Sequence, residues 1–560
     1  MNINRELLQI YTDKKLITEQ QAKRILGDCE RLGVSVRDYM LTKEYVTEAS
    51  ELSALGAYYG IPCAEMDLLD IDESLFDLFT LDFMKRYQVI PISMSVDGKL
   101  LIATANPLDC SSMSAIHAQI TAPFDCVLVS PGQIDRYLDS IDAAASTSAA
   151  LDDLKTDGED ALPLRGGYED ETVENDVVNN PSVRLVDSVI REAVPYRASD
   201  IHIEPFENIV RVRYRIDGDL RERAEFPIKS YSAICARIKI MAGLDIAERR
   251  IPQDGRIRMT IGGRMFDFRV SSFPTVYGEK FVIRVLDKTA LRFTRSDLGF
   301  TDEENRLVDK MLSKPHGMIL LTGPTGCGKS TALYSFLKEL NTSAVNIMTV
   351  EDPIEYMIPG VNQTQVNTKA NMTFSTALRS ILRQDPDIIM IGEMRDEETA
   401  EIAIRAAITG HIVFSTLHTN DAVGAVTRLE NMGIPDYLVA DALVGVIAQR
   451  LVKRLCPECK RKCRTTAGEM EILGIREPMD IYHPQGCQFC HGTGYKGRIA
   501  VHEIMYMNED MRNAVAQMRN PEALRRIAAE NGTVTLFQSC RSLVEKGITS
   551  IRELMALNTE

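Results

Sequence analysis

Residues 318–333 read MILLTGPTGCGKSTAL. A short apolar strand, a glycine-rich loop and a helix start follow one another. Gly323, Gly328, Lys329 and Ser330 fit the phosphate-loop spacing G-x-x-x-x-G-K-[ST]. Pro324, Thr325, Gly326 and Cys327 fill the loop, and Thr331 follows it. Glycines let consecutive backbone N–H groups turn inward and cradle phosphate oxygens. Lys329 can reach the β/γ-phosphates, and the Ser330 hydroxyl can ligate Mg²⁺. The helix N-terminus behind the loop adds partial positive charge. The chemistry predicted is binding of a nucleoside triphosphate with Mg²⁺.

Three further segments supply polar groups. Asn346–Val350 reads as a strand running into Glu351, Asp352, Pro353, Ile354 and Glu355. Carboxylates at a strand's C-terminal end lie where open α/β sheets bind ligands. Asp387–Glu393 is an apolar run closed by an acid, the pattern of a buried strand delivering Glu393 to a metal ion and an attacking water. In 409–420, TGHIVFSTLHTN, His411 and His418 flank one strand, with Thr416 and Asn420 nearby, an arrangement suited to sensing a γ-phosphate.

Two Cys-x-x-Cys knuckles, Cys456/Cys459 and Cys487/Cys490, can present four thiolates to one tetrahedral ion. Four protein ligands leave no open position, so a structural zinc is expected. Paired knuckles favour metal over a redox dithiol. Cys463 is a spare thiol between them. Residues 450–464 hold seven Lys/Arg, which read either as a solvated face or as a surface for an acidic partner or membrane.

These residues sit in a chain of 560 with 45% apolar residues and a formal charge of −16. That length predicts three or four domains. The acidity argues against tight nucleic-acid binding, which needs phosphate neutralisation. No apolar run reaches the roughly 18 residues of a membrane span, and the N-terminus lacks a signal-peptide core. The twelve Cys are scattered outside the knuckles, as expected in a reducing compartment. A cytoplasmic protein is predicted.

Residues 1–141 read as an N-terminal docking or regulatory domain. KKLITE and KEYVTE recur, placing Thr18 and Thr47 as caps of two small helical modules, with Gln21 completing a capping box. Residues 89–95 and 99–105 around Asp97-Gly98 read as a hairpin, and 111–120 and 133–141 as helices around a strand at 126–129. Residues 142–180, Ala/Ser-rich and then acidic, read as a flexible linker. Residues 181–292 form an α+β domain: helices at 183–194 and 231–243, strands at 201–203, 209–216, 256–261, 265–270 and 280–286, and a turn at Asp217-Gly218. Its arginines include Arg211, Arg213, Arg215, Arg249, Arg250 and Arg256. Most of these suit a solvated face, but one or two can reach a transferring phosphoryl group. The phosphate-loop domain spans 293–454, the tetracysteine insertion 455–500, and a C-terminal helical domain 501–560, with helices at 509–518, 521–531, 536–546 and 550–556.

With these motifs together, the chain resembles the secretion ATPase superfamily, specifically the type II secretion and type IV pilus assembly ATPases. GPTGCGKST, TVEDPIEY, DPDIIMIGEMRD and TGHIVFSTLHTND match that family's four boxes, and ASDIHIEP, RYRIDG and PQDGR match its preceding domain. Cys327 departs from the family's usual Ser. Its side chain is expected to point away from the phosphate cradle, so ATP binding should survive. The resemblance covers about residues 180–560. It implies a RecA-like ATPase core preceded by an α+β, PAS-like domain, assembled as a ring hexamer with nucleotide between the two. It further implies Lys329 and Ser330 on phosphate and Mg²⁺, Glu351 as general base, Asp352 and Glu355 supporting the metal or water, and Glu393 as the Walker B acid. His411 and His418 would lie on the γ-phosphate side. Arg213 and Arg215 would be arginine fingers, with Arg450 the lesser candidate.

The N-terminal region resembles the family's domain for docking an inner-membrane partner, which in some members binds cyclic di-GMP. Here Arg31-Leu32-Gly33 keeps the start of that repeat. The first copy has Leu-Leu-Gln-Ile instead, and the closing Gln after Leu55 is missing, so dinucleotide binding is not expected. The function implied is an ATP-hydrolysing hexamer that drives pilin polymerisation through a membrane-embedded platform protein, held at the cytoplasmic face through its partners. The insertion and N-terminal domain favour assembly over retraction. Type II secretion or a competence pseudopilus uses the same motor plan. A nucleic-acid translocase is the rival of another class, and the absence of a basic groove interleaved with aromatics speaks against it. A non-hydrolysing scaffold is opposed by intact Lys329, Glu351 and Glu393.

Overall fold

The computed structural model describes residues 3–559 apart from 15, 33–34, 44, 47, 67–68, 70, 96, 106–109, 121, 157–180, 262–263, 287–293, 491 and 518–519. The cap expected at Thr47, the glycine of Arg31-Leu32-Gly33 and the 292/293 boundary lie outside the described residues. The chain divides into two compact units, Met1–Leu286 and Asp287–Glu560.

The first unit opens with helices Ile3–Asp13, Glu19–Leu32, Val36–Thr42 and Glu48–Tyr59. Thr18 begins the second of them. Its N–H donates to Gln21 Oε1 at 2.8 Å and its hydroxyl accepts the Gln21 N–H at 3.3 Å, the reciprocal box expected. Strands β1 (Val89–Met94) and β2 (Leu100–Thr104) form an antiparallel hairpin, and β3 (Phe124–Leu128) lies parallel to β2. The helix after β3 runs from Pro131 to Thr156. The break expected at 141/142 is therefore corrected. The segment AAASTSAAL contains no Gly or Pro, and alanine carries the strongest helix propensity, so the helix continues.

Helix Pro181–Ala193 precedes six antiparallel strands. These are β4 (Ala198–Pro205), β5 (Ile209–Ile216), β6 (Asp219–Pro227), β7 (Gln253–Ile261), β8 (Arg264–Thr275) and β9 (Gly278–Leu286). Their spatial order is β6-β5-β4-β9-β8-β7. Strand β6 was not anticipated, because DLRERAEF carries charge on both faces. Asp217 and Gly218 both have positive φ, 50° and 96°, the tight turn their types demand. Helix Tyr231–Ala242 packs on the sheet through Ile234 and Ile238.

The second unit is built on a seven-stranded sheet. Its strands are β10 (Gly317–Thr322), β11 (Ile347–Glu351), β12 (Asn362–Gln365), β13 (Ile388–Ile391), β14 (Ile412–Leu417), β15 (Leu443–Leu455) and β18 (Tyr495–Tyr506). They lie in the order β12-β11-β13-β14-β10-β15-β18, all parallel except the last pair. Helices cover both faces, so β10 and β13 are buried along their whole length, as continuous apolar runs require. Strand β12, NQTQ, is polar because it is the edge. Strand β18 crosses the 500/501 boundary and belongs to this sheet, which corrects the assignment of 501–506 to a helical domain. Helices Glu509–Ala516, Pro521–Glu530, Leu536–Glu545 and Ile551–Thr559 follow it. Among the described residues no helix is long and apolar enough to cross a membrane.

Candidate active site and metal centre

Four parallel strands end on one edge of the sheet and deliver the predicted chemistry there. Strand β10 ends at Thr322, and the loop Gly323–Gly328 leads into helix Lys329–Leu340. Gly323 has φ 145°, and a Cβ on it would lie 2.4 Å from the Gln449 carbonyl oxygen and 2.7 Å from Cys327 Sγ. Only glycine fits that close approach. Pro324, Thr325, Gly326 and Ser330 are exposed, Gly328 and Thr331 half-buried, and Cys327 buried. Lys329 is buried, and its Nζ donates to the carbonyls of Gly323 and Pro324 at 2.6 and 2.9 Å. Burial pulls its pKa below the usual lysine value. An ammonium held among carbonyls inside a glycine loop, at a helix N-terminus, suits a triphosphate. Gln449 braces the loop from β15, its Nε2 donating to the Cys327 carbonyl at 2.7 Å. Arg450 beside it donates to the Asn420 carbonyl and side chain at 3.3 and 3.2 Å, which places it against the loop after β14 of its own chain.

Glu351 ends β11 and is buried. Its Oε1 accepts from Thr349 Oγ1 at 2.6 Å and Gln363 Nε2 at 3.1 Å, and Tyr334 Oη donates to Oε2. Both oxygens expected to take a proton from water are thus held by neutral donors. Asp352 is exposed and Glu355 half-buried on the loop that follows. Glu393 follows β13, facing Arg395 and, at 3.4 Å, His418 Nε2. It also acts electrostatically on Lys329, favouring the charged ammonium.

His418 follows the C-terminal end of β14 and lies in the site. His411 does not, and its expected contact on the γ-phosphate side of this subunit is corrected. β14 runs parallel to β10 with Ile412 opposite Gly317 and Leu417 opposite Thr322. His411 therefore lies at the far end of the strand, about 20 Å away at 3.3 Å per residue. There its Nδ1 lies 3.0 Å from the Ala406 carbonyl, at the C-terminus of helix Glu397–Ile408. Thr416 pins β14 to the loop after β13, donating to the Gly392 carbonyl at 2.7 Å.

Arg213 and Arg215 lie on β5 in the first unit. Arg213 pairs with Glu204 at 2.7 Å, and Arg215 Nη1 donates to the Gly218 carbonyl at 2.7 Å. Tyr334, Thr349, Gln363 and Arg395 belong to the site but were not anticipated. Neither a phenol five residues past the lysine nor an amide on an edge strand carries a motif.

The Sγ atoms of Cys456, Cys459, Cys487 and Cys490 all lie within 4.8 Å of one another. Three of the separations are 3.8, 3.7 and 3.7 Å. Sulfurs about 2.3 Å from a tetrahedral ion are about 3.8 Å apart, so the four fit zinc. Backbone N–H groups of Gly486, Cys487 and Gly494 donate to Sγ atoms of Cys459 and Cys490 at 3.1–3.3 Å, stabilising thiolate charge. The long gap between knuckles holds the hairpin β16 (Arg461–Arg464) and β17 (Asp480–His483) with helix Ala467–Leu473 between its strands. Cys463 sits on β16, outside the cluster.

Comparison with known proteins agrees with this geometry. The family described as type II/IV secretion system protein matches residues 175–556, and the MshEN domain matches residues 59–148. The type II secretion system protein E of Pectobacterium carotovorum subsp. carotovorum is 47% identical over 380 residues, covering 68% of this chain and 76% of that protein. The type IV pilus assembly ATPase PilB of Myxococcus xanthus is 36% identical over 559 residues, covering 98% of each. The solved structure of the Legionella pneumophila ATPase DotB superposes with a TM-score of 0.51 at 21% identity, covering 67% of this chain and 95% of that one, a likeness of fold.

Proposed function

The chain belongs to the type II/IV secretion system protein family, as an ATP-hydrolysing enzyme with a RecA-like core, and from that premise we propose that it is the hexameric motor of type IV pilus assembly. The observation that carries the choice is the match to a pilus assembly ATPase along 98% of both chains, including the N-terminal region. Type II protein secretion and a competence pseudopilus are the alternative settings for the same motor.

In this reading Lys329 and the loop amides bind the β/γ-phosphates, and Ser330 would hold the Mg²⁺ that neutralises charge on the transferring group. Glu393 would orient the attacking water, and His418 would report on the γ-phosphate through Glu393. Glu351 accepts three hydrogen bonds, and Glu393 faces the Arg395 guanidinium and the His418 ring. We assign removal of the water proton to the acids of residues 351–355, with Glu351 as the base, oriented by those bonds, and Asp352 and Glu355 supporting the metal or the water. Arg213 and Arg215 would complete the charge of a bound nucleotide once released from their own carboxylate and carbonyl partners, with Arg450 acting from within the phosphate-loop domain. The four cysteines hold a structural zinc. The N-terminal domain docks an assembly protein and the platform protein of the inner membrane, which keeps the ring at the cytoplasmic face. Cyclic di-GMP has no part in this proposal.

The test is Lys329→Ala in the native host, with surface pili scored by electron microscopy and secreted proteins by mass spectrometry. Loss of pili with intact secretion supports the proposal. Accumulation of exported enzymes with pili intact assigns the chain to type II secretion instead.

A further inference from the structure

The acids of the site hang on a buried polar bridge that starts from the phosphate-binding helix. Tyr334 lies about one and a half turns past Lys329 and is only 6% exposed. Its hydroxyl does two things at once. It donates to Glu351 Oε2, and it accepts the backbone N–H of Glu355 at 3.2 Å. Burial first, and then the Glu351 charge, push its pKa far above the usual tyrosine value, so it stays a donor at any working pH. On the other side of Glu351, Gln363 closes the bridge. Its Nε2 donates to Glu351 Oε1 at 3.1 Å and to the Tyr356 carbonyl at 3.0 Å, while its Oε1 accepts the Ile358 N–H at 2.7 Å.

The loop that carries Asp352 and Glu355 is thereby fastened at Glu355 by Tyr334 and at Tyr356 and Ile358 by Gln363. One phenolic oxygen joins the helix that begins at Lys329, the strand that ends at Glu351 and the backbone of Glu355. We propose that Tyr334 is a positioning residue for hydrolysis. It holds the Asp352–Glu355 loop in register with the phosphate-binding helix, so that any movement of the helix on filling of the phosphate loop carries the acids with it. This rests on the assignment of that loop to water activation. An error of about 1 Å in such placement costs up to roughly a hundredfold in rate, without touching the groups that bind phosphate.

The test is Tyr334→Phe in the full-length hexamer. The variant keeps the ring and removes one oxygen. ATPase kinetics and binding of a fluorescent ATP analogue are measured together. The expected result is a kcat at least about tenfold lower, with the ATP KM and the analogue's binding stoichiometry within about twofold of wild type. Gln363→Leu, which loosens the same loop from the opposite side, should give the same split. A kcat within twofold of wild type overturns the proposal. So does a kcat loss matched by an equal loss of binding stoichiometry in both variants, since Tyr334 then supports the folded binding site as a whole and not the hydrolytic step. Lys329→Ala in the same assay keeps the two assignments apart. If it retains turnover, the hydrolytic site is elsewhere and the proposal falls with it. If it abolishes turnover while Tyr334→Phe does not, only the role of Tyr334 is refuted.

Discussion

The hydroxyls of Thr322 and Thr419 lie 2.6 Å apart, joining the last residue of the phosphate-loop strand to the turn after His418. Thr322 Oγ1 also accepts the Thr419 N–H at 2.9 Å. The turn is held from its other side too, where Arg525 of a C-terminal helix meets Asp421 at 2.8 Å. The phosphate loop and the histidine that faces Glu393 thus share one partly buried stitch. Thr322→Val keeps the shape and removes that stitch, leaving the Thr419 N–H without its acceptor. The expected cost is about 1–3 kcal/mol of stability, with kcat reduced several-fold, read by thermal melts and ATPase assays at saturating ATP. An unchanged melt would show that the stitch contributes nothing.

The two histidines should separate. His418→Ala removes the group beside Glu393 and is expected to lower kcat about tenfold or more. His411→Ala lies at the far end of β14 and should leave kcat within about twofold, with a small loss of stability from the end of helix Glu397–Ile408. Parallel ATPase assays of the two variants decide it, and equal losses would refute the placement of His411.

One zinc per chain is expected by elemental analysis. Cys487→Ser should lose it and lower the melting temperature, because a structural site contributes its binding energy to folding. Cys463→Ser should keep the metal, since that thiol stands outside the cluster. Zinc retained by the first variant, or lost by the second, would refute the ligand set.

The pH dependence of stability should carry the mark of His502. Its ring is buried and stacks on Phe300 with centroids 3.8 Å apart. Burial pushes its pKa down to about 3, while the unfolded chain's imidazole titrates near 6.5. Below that pH the unfolded state takes up a proton that the folded state refuses. Stability therefore falls as pH drops from about 6.5 towards 3, by about 1.4 kcal/mol per unit. His502→Phe removes this share, so relative to wild type it should gain about 2 kcal/mol between pH 7.5 and pH 5, measured by denaturant titration. Equal slopes in both proteins would acquit the imidazole.

Local spacing was enough for much of this chain. The phosphate loop, the Asp217-Gly218 turn, the Thr18 capping box and the paired knuckles each depend on residues a few positions apart, and backbone geometry leaves such patterns few alternatives. The runs MILL and IIMI announced buried parallel strands for the same reason. Which strands lie side by side is another matter, because sheet order is set by packing between segments far apart in the chain. That order placed β14 against β10, and so put His418 in the site and His411 at the opposite end. It brought Tyr334 and Gln363 up to Glu351, closing hydrogen bonds around that buried carboxylate. It also drew Tyr495–Tyr506 into the sheet beside β15, where composition alone had suggested only the edge of an insertion and the start of a helical domain. Chemistry carried by neighbours in sequence was legible in advance. Chemistry carried by neighbours in space waited on the fold.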